Sequence, residues 1–281
     1  MLKLIRSGEG LWESPESLTN NRSFLFGDGF FETMRIGPSA FFPLAAIHAD
    51  RIKRSAIALG FPDFFDMDEA ALLNLIFEFL PENLEGDYRL KLLFFRRGEG
   101  AYAPLADCTT GIYAELQPLS LPFFSFLDRT GIAESLFIRP NEFGWIKSSS
   151  ALQYVIAGIE RQKRGLDEII LRSPDGYVVE GSFTSICWKE SNRICFPSRK
   201  LGGIDACQRR FIEGFFRESG IAFSEDIYSA SELLEKAEWI CFSSGLGLRF
   251  FLGKENSRKV PDEFSEFPVD GFSLKFAPAN N

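Results

Sequence analysis

Apolar and polar positions alternate along this 281-residue chain with two different periods, and the switches between them mark out its elements. Residues 30–36, 88–96 and 111–116 read as strands rich in Phe, Leu and Tyr. Between the first two, Leu44, Ile47, Ile52, Ile57 and Leu59 recur among charged residues. That spacing predicts an amphipathic helix over 43–60, closed by Gly60 and Pro62. A second helix is expected over 66–80, capped by Asp66 or Asp68. Pro118-Leu119-Ser120-Leu121-Pro122 reads as an extended boundary. It divides a small N-terminal α/β domain (1–117) from a linker (118–130) and a larger C-terminal domain (131–281).

Beyond the boundary, strands are expected over 132–139, 168–172, 177–180, 183–189, 193–196, 221–227 and 238–242. Leu152, Val155, Ile156 and Ile159 recur at helical spacing, and Gly165 can end that helix. Another helix opens at Leu201-Gly202-Gly203-Ile204, with Asp205 as its cap, and runs to about Ser219. A short helix over 231–236 and a partly helical tail from Pro261 complete the reading. Helices and strands mix without a strict β-α-β alternation, so the expected class is α+β.

Composition narrows the function. A net charge of −8 and a pI near 5.0 argue against nucleic-acid binding, which needs a positive surface. No apolar run reaches the ~20 residues of a membrane helix, and the start lacks the apolar stretch of a signal peptide. Five scattered cysteines without a C-x-x-C pair look like reduced, cytoplasmic thiols. With His48 as the one histidine, neither a His-rich metal site nor a two-histidine mechanism is possible, and no metal is expected.

Chemistry concentrates between Trp145 and Thr184. Lys147 follows two large apolar residues and precedes three serines and a helix. Pro174-Asp175-Gly176 turns one strand into the next, which ends on Glu180 just before Gly181. A desolvated lysine can attack an aldehyde to form a Schiff base. If the aldehyde is pyridoxal phosphate, the ring nitrogen needs an acidic partner so that the ring can accept electrons. Lys147 and Glu180 are residues of those two kinds.

The order Lys147, G-L-D-E-I-I-L, then D-G-Y-V-V-E-G-S-F-T-S-I resembles the class IV aminotransferases, the fold type IV pyridoxal phosphate enzymes. F-L-F-G-D-G-F-F-E-T-M-R (from Phe24) and H-A-D-R-I-K-R-S-A (from His48) fit the same family, and the likeness spans roughly residues 20–250. The resemblance implies a two-domain enzyme with Lys147 in the larger domain, and Lys147 and Glu180 as catalytic residues. It implies that Arg51, Gly203, Ile204, Asp205, Ser243 and Ser244 surround the cofactor, most of them at its phosphate. It implies a substrate pocket at Phe31, Arg97, Tyr102 and Gly245, although Phe31 reads equally as a core aromatic, and Ser243-Ser244-Gly245 as a plain turn. A homodimer is implied too.

Several positions depart from the family's patterns. Branched-chain members carry a tyrosine five residues after the lysine, where this chain has Leu152, as in D-amino-acid aminotransferases and aminodeoxychorismate lyases. The lyases' R-G-x-G-x-x-G-Y resembles Arg97–Tyr102 but is shortened here, without a second arginine. The G-I-T-R helix start becomes Gly203-Ile204-Asp205-Ala206, with the arginine displaced to Arg209 or Arg210. An aspartate beside a phosphate repels it, so either Asp205 points away as a cap or the cofactor binds weakly. The expected reaction is amino-group transfer between an amino acid and a 2-keto acid. The alternatives are lysis of an amino-chorismate, or a homologue without catalysis.

Overall fold

The computed structural model describes residues 2–6, 12–13, 21–37, 44–61, 64, 66–78, 80, 84–253 and 258–268. It divides into two compact units. The first comprises Met1–Ser120, Ile146–Ser150 and Pro268–Asn281, and the second comprises Leu121–Trp145 and Ala151–Phe267.

The first unit is built on one antiparallel sheet. Its strands are β1 (Leu2–Arg6), β2 (Trp12–Glu13), β3 (Gly29–Ile36), β4 (Tyr88–Arg97) and β5 (Thr109–Pro118), in the order β2-β1-β5-β4-β3. The alternation seen in the sequence becomes the two faces of that sheet. Phe30, Met34, Leu90, Leu92, Phe94 and Ala114 are buried, and the Phe30 and Phe94 rings stack at 5.0 Å. Helix α1 (Arg22–Phe26) precedes β3. Helix α2 (Ala45–Leu59) buries Ala45, Ala49, Ile52 and Ala56, and Gly60 ends it with φ +70°. Helix α3 (Glu69–Phe77) starts where Asp68 accepts from the Ala71 N–H at 2.8 Å, so the cap is Asp68 rather than Asp66. Pro43 and Pro62 lie outside the described residues.

The second unit holds two sheets. Six strands run in the order β12-β11-β10-β13-β14-β6, where β6 is Phe124–Phe126, β10 Ser185–Glu190, β11 Arg193–Pro197, β12 Phe223–Asp226, β13 Trp239–Ser244 and β14 Gly247–Phe251. Three more, β7 (Thr130–Ile132), β8 (Glu168–Arg172) and β9 (Val178–Gly181), form the second sheet. Trp188, Ile186, Phe242, Ile170 and Val178 meet in one core cluster. Helices α4 (Leu152–Lys163), α5 (Cys207–Glu218) and α6 (Ala230–Lys236) complete the unit, and a short 3-10 turn covers Asp262–Phe264. Residues beyond Pro268 in the expected tail lie outside the described residues.

Three expectations change. The strand expected over 132–139 stops at Ile132; beyond it the chain is irregular, and Ile138 donates its N–H to the Arg172 carbonyl at 3.0 Å. The helix expected from Leu201 begins only at Cys207, and Asp205 does not cap it. Instead a 3-10 turn over Arg199–Leu201 ends at Gly202, whose φ of +87° turns the chain out of helical geometry. Finally, the stripe of Leu152, Val155, Ile156 and Ile159 on α4 is exposed (70, 54, 39 and 46%), and the helix instead buries Ala157.

Candidate active site

Lys147 lies in the first unit, on a segment that runs beside β3. The Phe31 N–H donates to the Lys147 carbonyl at 2.9 Å, and the Ser149 N–H donates to the Gly29 carbonyl at 3.0 Å. The approach is too close for ordinary residues on the facing turn. A Cβ on Gly27, which has φ +68°, would fall 2.1 Å from the Ser150 Oγ, and one on Gly29 would fall 2.9 Å from the Ser149 Oγ as well as 2.6 Å from the Phe94 carbonyl oxygen of β4. The sequence G-D-G is therefore a steric requirement of seating the lysine segment.

The Phe31 ring receives two cations. Lys147 Nζ lies 4.7 Å from its centroid and Lys91 Nζ lies 4.8 Å from it, both within cation–π range. Burial, with Arg89 nearby, pulls the Lys91 ammonium below its ordinary range, against an opposing pull from Glu115. Arg97 ends β4 and forms an isolated bridge with Asn21. Tyr102 is 91% exposed and touches the Phe26 ring, while buried Arg22 holds the carbonyls of Gly100 and Tyr102 at 2.8 and 3.0 Å.

Arg51, also in the first unit, is buried on α2. Its Nε donates to Glu32 Oε1 at 2.8 Å and its Nη2 meets Glu32 Oε2, while His48 Nδ1 lies 2.6 Å from that same oxygen. Burial raises the Glu32 carboxyl, but Arg51 and His48 outweigh it and hold it at about 2, against an ordinary 4.5.

Glu180 lies in the second unit at the end of β9 and is buried. The Tyr154 hydroxyl donates to its Oε1 at 2.7 Å, and the Ile204 N–H donates to its Oε2 at 3.1 Å. Burial, and then the neighbouring carboxylate, push the Tyr154 phenol far above its ordinary value, so it stays protonated and remains a donor. A cavity of about 60 Å³ in this unit is bounded by Trp145, Glu180, Ser185, Gly203, Ile204 and Asp205, among others. That is a recess for one end of a ligand rather than for a whole one.

The loop before α5 is directed largely at protein acceptors. Besides the Ile204 N–H on Glu180, the Asp205 N–H donates to the Trp145 carbonyl at 3.0 Å. Arg210 Nη1 stands 4.0 Å from the Asp205 carboxylate and offsets its charge. Arg209 is committed elsewhere, to Glu213 at 2.8 Å, Glu225 at 3.0 Å and the Pro197 carbonyl at 2.8 Å. Of the two displaced arginines, Arg209 still bounds the cavity and Arg210 faces the Asp205 carboxylate. Ser243 is buried against Ser185, hydroxyl to hydroxyl at 2.6 Å, and the Ser244 Oγ accepts from the Leu246 N–H at 3.2 Å across the turn at Gly245. Glu168 anchors the neighbouring turn, accepting from the Ser182 N–H and hydroxyl, the Thr184 hydroxyl and Arg249.

Within the second unit, then, Glu180, Gly203, Ile204 and Asp205 come together around one cavity, and within the first, Lys147 meets Phe31. Two residues were not singled out from the sequence. Lys91 sits in a run alternating with Leu90 and Leu92, the pattern of an outward lysine on a half-buried strand. Tyr154 falls in an apolar helical run and reads as one more core aromatic.

A cofactor can be tested against these residues. A carboxylate has about four acceptor positions, so the two donors named on Glu180 do not by themselves exclude a protonated ring nitrogen. A Cβ on Gly203 would come within 3.5 Å of Glu180 Oε2, so the glycine leaves the space beside that oxygen clear. The ring end of pyridoxal phosphate fits this donor and acceptor set.

Comparison with known proteins agrees. The family model for amino-transferase class IV matches residues 29–251. The chain is 27% identical over 225 residues to an aminodeoxychorismate lyase of Bacillus subtilis, covering 78% of this chain and 74% of the lyase. It is 25% identical over 225 residues to a branched-chain-amino-acid aminotransferase assigned in Methanocaldococcus jannaschii, covering 76% of each. The Escherichia coli branched-chain amino acid aminotransferase superposes with a TM-score of 0.76 at 18% identity, over 90% of this chain and 87% of that one. With the family match spanning most of its length, the chain belongs to the class IV aminotransferases, pyridoxal-phosphate enzymes of fold type IV.

Proposed function

We propose that this protein uses pyridoxal 5'-phosphate to move an amino group between an amino acid and a 2-keto acid. The observation that carries the proposal is Glu180, a buried carboxylate on the wall of a cavity also bounded by the loop Gly203–Ile204, which resembles the family's phosphate motif. When bound, the cofactor supplies an electron sink for the bond broken at the substrate's α-carbon. Glu180 would keep the ring nitrogen protonated. Gly203, Ser243, Ser244 and Arg51 would hold the phosphate, the Ile204 N–H being engaged with Glu180, with Arg210 offsetting the Asp205 carboxylate. Lys147 would carry the cofactor between turnovers, and its free Nζ would then take the α-proton as general base. Phe31, Arg97, Tyr102 and Gly245 would shape the substrate pocket.

The assembly we infer is a homodimer in the cytoplasm. The exposed apolar stripe of α4 offers a second copy a surface to cover, and Cys187, Cys195, Cys207 and Cys241 are buried thiols not joined in disulfides, suited to a reducing compartment. Among the described residues no helix is long and apolar enough to cross a membrane.

Aminodeoxychorismate lysis is the second reading. It is favoured by the likeness to the Bacillus subtilis lyase and by Lys91, whose ammonium beside Phe31 suits a substrate with an extra carboxylate. One experiment separates the readings. The protein is incubated with amino acids and with aminodeoxychorismate while the cofactor spectrum and products are followed. A pyridoxamine spectrum with release of a keto acid supports transfer. Pyruvate and 4-aminobenzoate without an added acceptor support lysis. Borohydride should fix a pyridoxyl group on Lys147, and a label on another lysine, or no spectral response to any amine, overturns the proposal.

A further inference from the structure

Glu180 is gripped from two sides, and one of the two grips belongs to a residue that neither the family motifs nor the cavity wall marks out. Tyr154 comes from the inward side of α4, packed against the cluster of Ile169, Leu171 and Val179, and reaches Glu180 Oε1 at 2.7 Å. The Ile204 N–H takes Oε2 at 3.1 Å from the loop side. With a donor fixed on each oxygen, the carboxylate cannot turn about its own axis. Oε2 is thereby the oxygen held beside Gly203, where a Cβ would lie 3.5 Å away.

We infer that Tyr154 is a positioning residue for Glu180. Its hydroxyl holds the carboxylate rotationally fixed, so that the acid is set for a protonated ring nitrogen before any ligand arrives. A hydrogen bond to the charged form of a carboxyl favours that form, and a neutral donor does so without cancelling the negative charge that a ring N–H⁺ needs. An arginine in the same place would stabilise the carboxylate but would also compete for it as a counter-charge. The inference rests on the reading of Glu180 as the ring-nitrogen partner.

The test compares two ligands on the cofactor-free full-length chain. One is pyridoxal phosphate; the other is its carbocyclic analogue, in which C–H replaces the ring nitrogen. Affinities are read by fluorescence titration for the unaltered protein, Tyr154→Phe and Glu180→Gln. The unaltered protein should prefer pyridoxal phosphate by about tenfold, the scale of a hydrogen bond to a charged group. Tyr154→Phe should lose most of that preference, binding the analogue as before and keeping its circular dichroism spectrum. Glu180→Gln should lose it as well. If Tyr154→Phe weakens both ligands equally, or keeps the full preference, Tyr154 has only a structural role and the inference fails alone. An unaltered protein without preference overturns the Glu180 reading, and this inference with it.

Discussion

Glu32 and Glu180 are both buried carboxylates, one in each unit, and they meet opposite kinds of neighbour. Glu32 is met by a guanidinium and an imidazole, and the balance of charge leaves it ionised down to about pH 2. Among the groups that meet Glu180 are a phenol and a backbone amide, both neutral. Cations around Glu32 stabilise the ionised form by cancelling its charge, which makes the cluster a brace between β3 and α2. The phenol and the amide on Glu180 hold its two oxygens without adding positive charge. Burial is thus common to both carboxylates, and the donors named on each differ in charge.

The largest expected effect is on Glu180. Glu180→Gln keeps the shape and an acceptor oxygen for Tyr154 while removing the charge, and turnover should fall by about 10²–10⁴-fold with the fold intact by circular dichroism. Unchanged turnover, or an unfolded variant, would erase the contrast with Glu32. Next is Glu32→Gln, which removes the carboxylate charge that faces buried Arg51 and His48. Opening of β3 and α2, followed by amide hydrogen exchange, should become easier by about 3–5 kcal/mol. A loss no larger than that of a surface variant would show that Glu32 is not a brace.

Acid should act through the same residue. The folded value of about 2 lies below the ordinary 4.5, so the unfolded chain takes up the proton first. The stability from Glu32 is therefore fully present above about pH 4.5 and is lost as pH falls toward 2, amounting to about 3 kcal/mol. Urea midpoints measured across that window should fall steeply in the unaltered protein and less so in Glu32→Gln; equal slopes contradict the assignment. Smallest of all is Ser243→Ala, which tests a buried pair with no charge. It leaves the Ser185 hydroxyl without its partner at 2.6 Å and should cost about 1 kcal/mol in urea unfolding. A cost as large as that of Glu32→Gln would mean that charge is not what separates these pairs.

Much of this was legible in the chain, and the failures share a cause. Strands with a two-residue period, such as β3 and β4, appear where the pattern puts them because one face must be buried, and β8 appears as the short, wholly apolar-centred run of a buried strand. The apolar stripe of α4 has the right period but faces outward, since periodicity reports a face without saying what covers it. The helix start near Gly203 was misplaced because a glycine that can open a helix can also leave one, and at Gly202 it leaves. Lys147 and Glu180 are singled out by spacing around a turn and by a resemblance. Tyr154 escaped because its meaning depends on a hydrogen bond across 26 residues of chain.

The five residues Ile146–Ser150 belong to the first unit although the chain on both sides of them belongs to the second. Synthesis from the N-terminus therefore delivers β1 to β5 long before the segment that satisfies the Phe31 N–H and the Gly29 carbonyl. Until Ser150 emerges from the ribosome, β3 presents an open edge with unpaired backbone groups, the kind that recruits stray strands. A gene cut at the apparent boundary near Ser120 would yield that unfinished edge permanently. Expressing the first unit by itself calls for residues 146–150 to be supplied as a peptide or spliced back onto it.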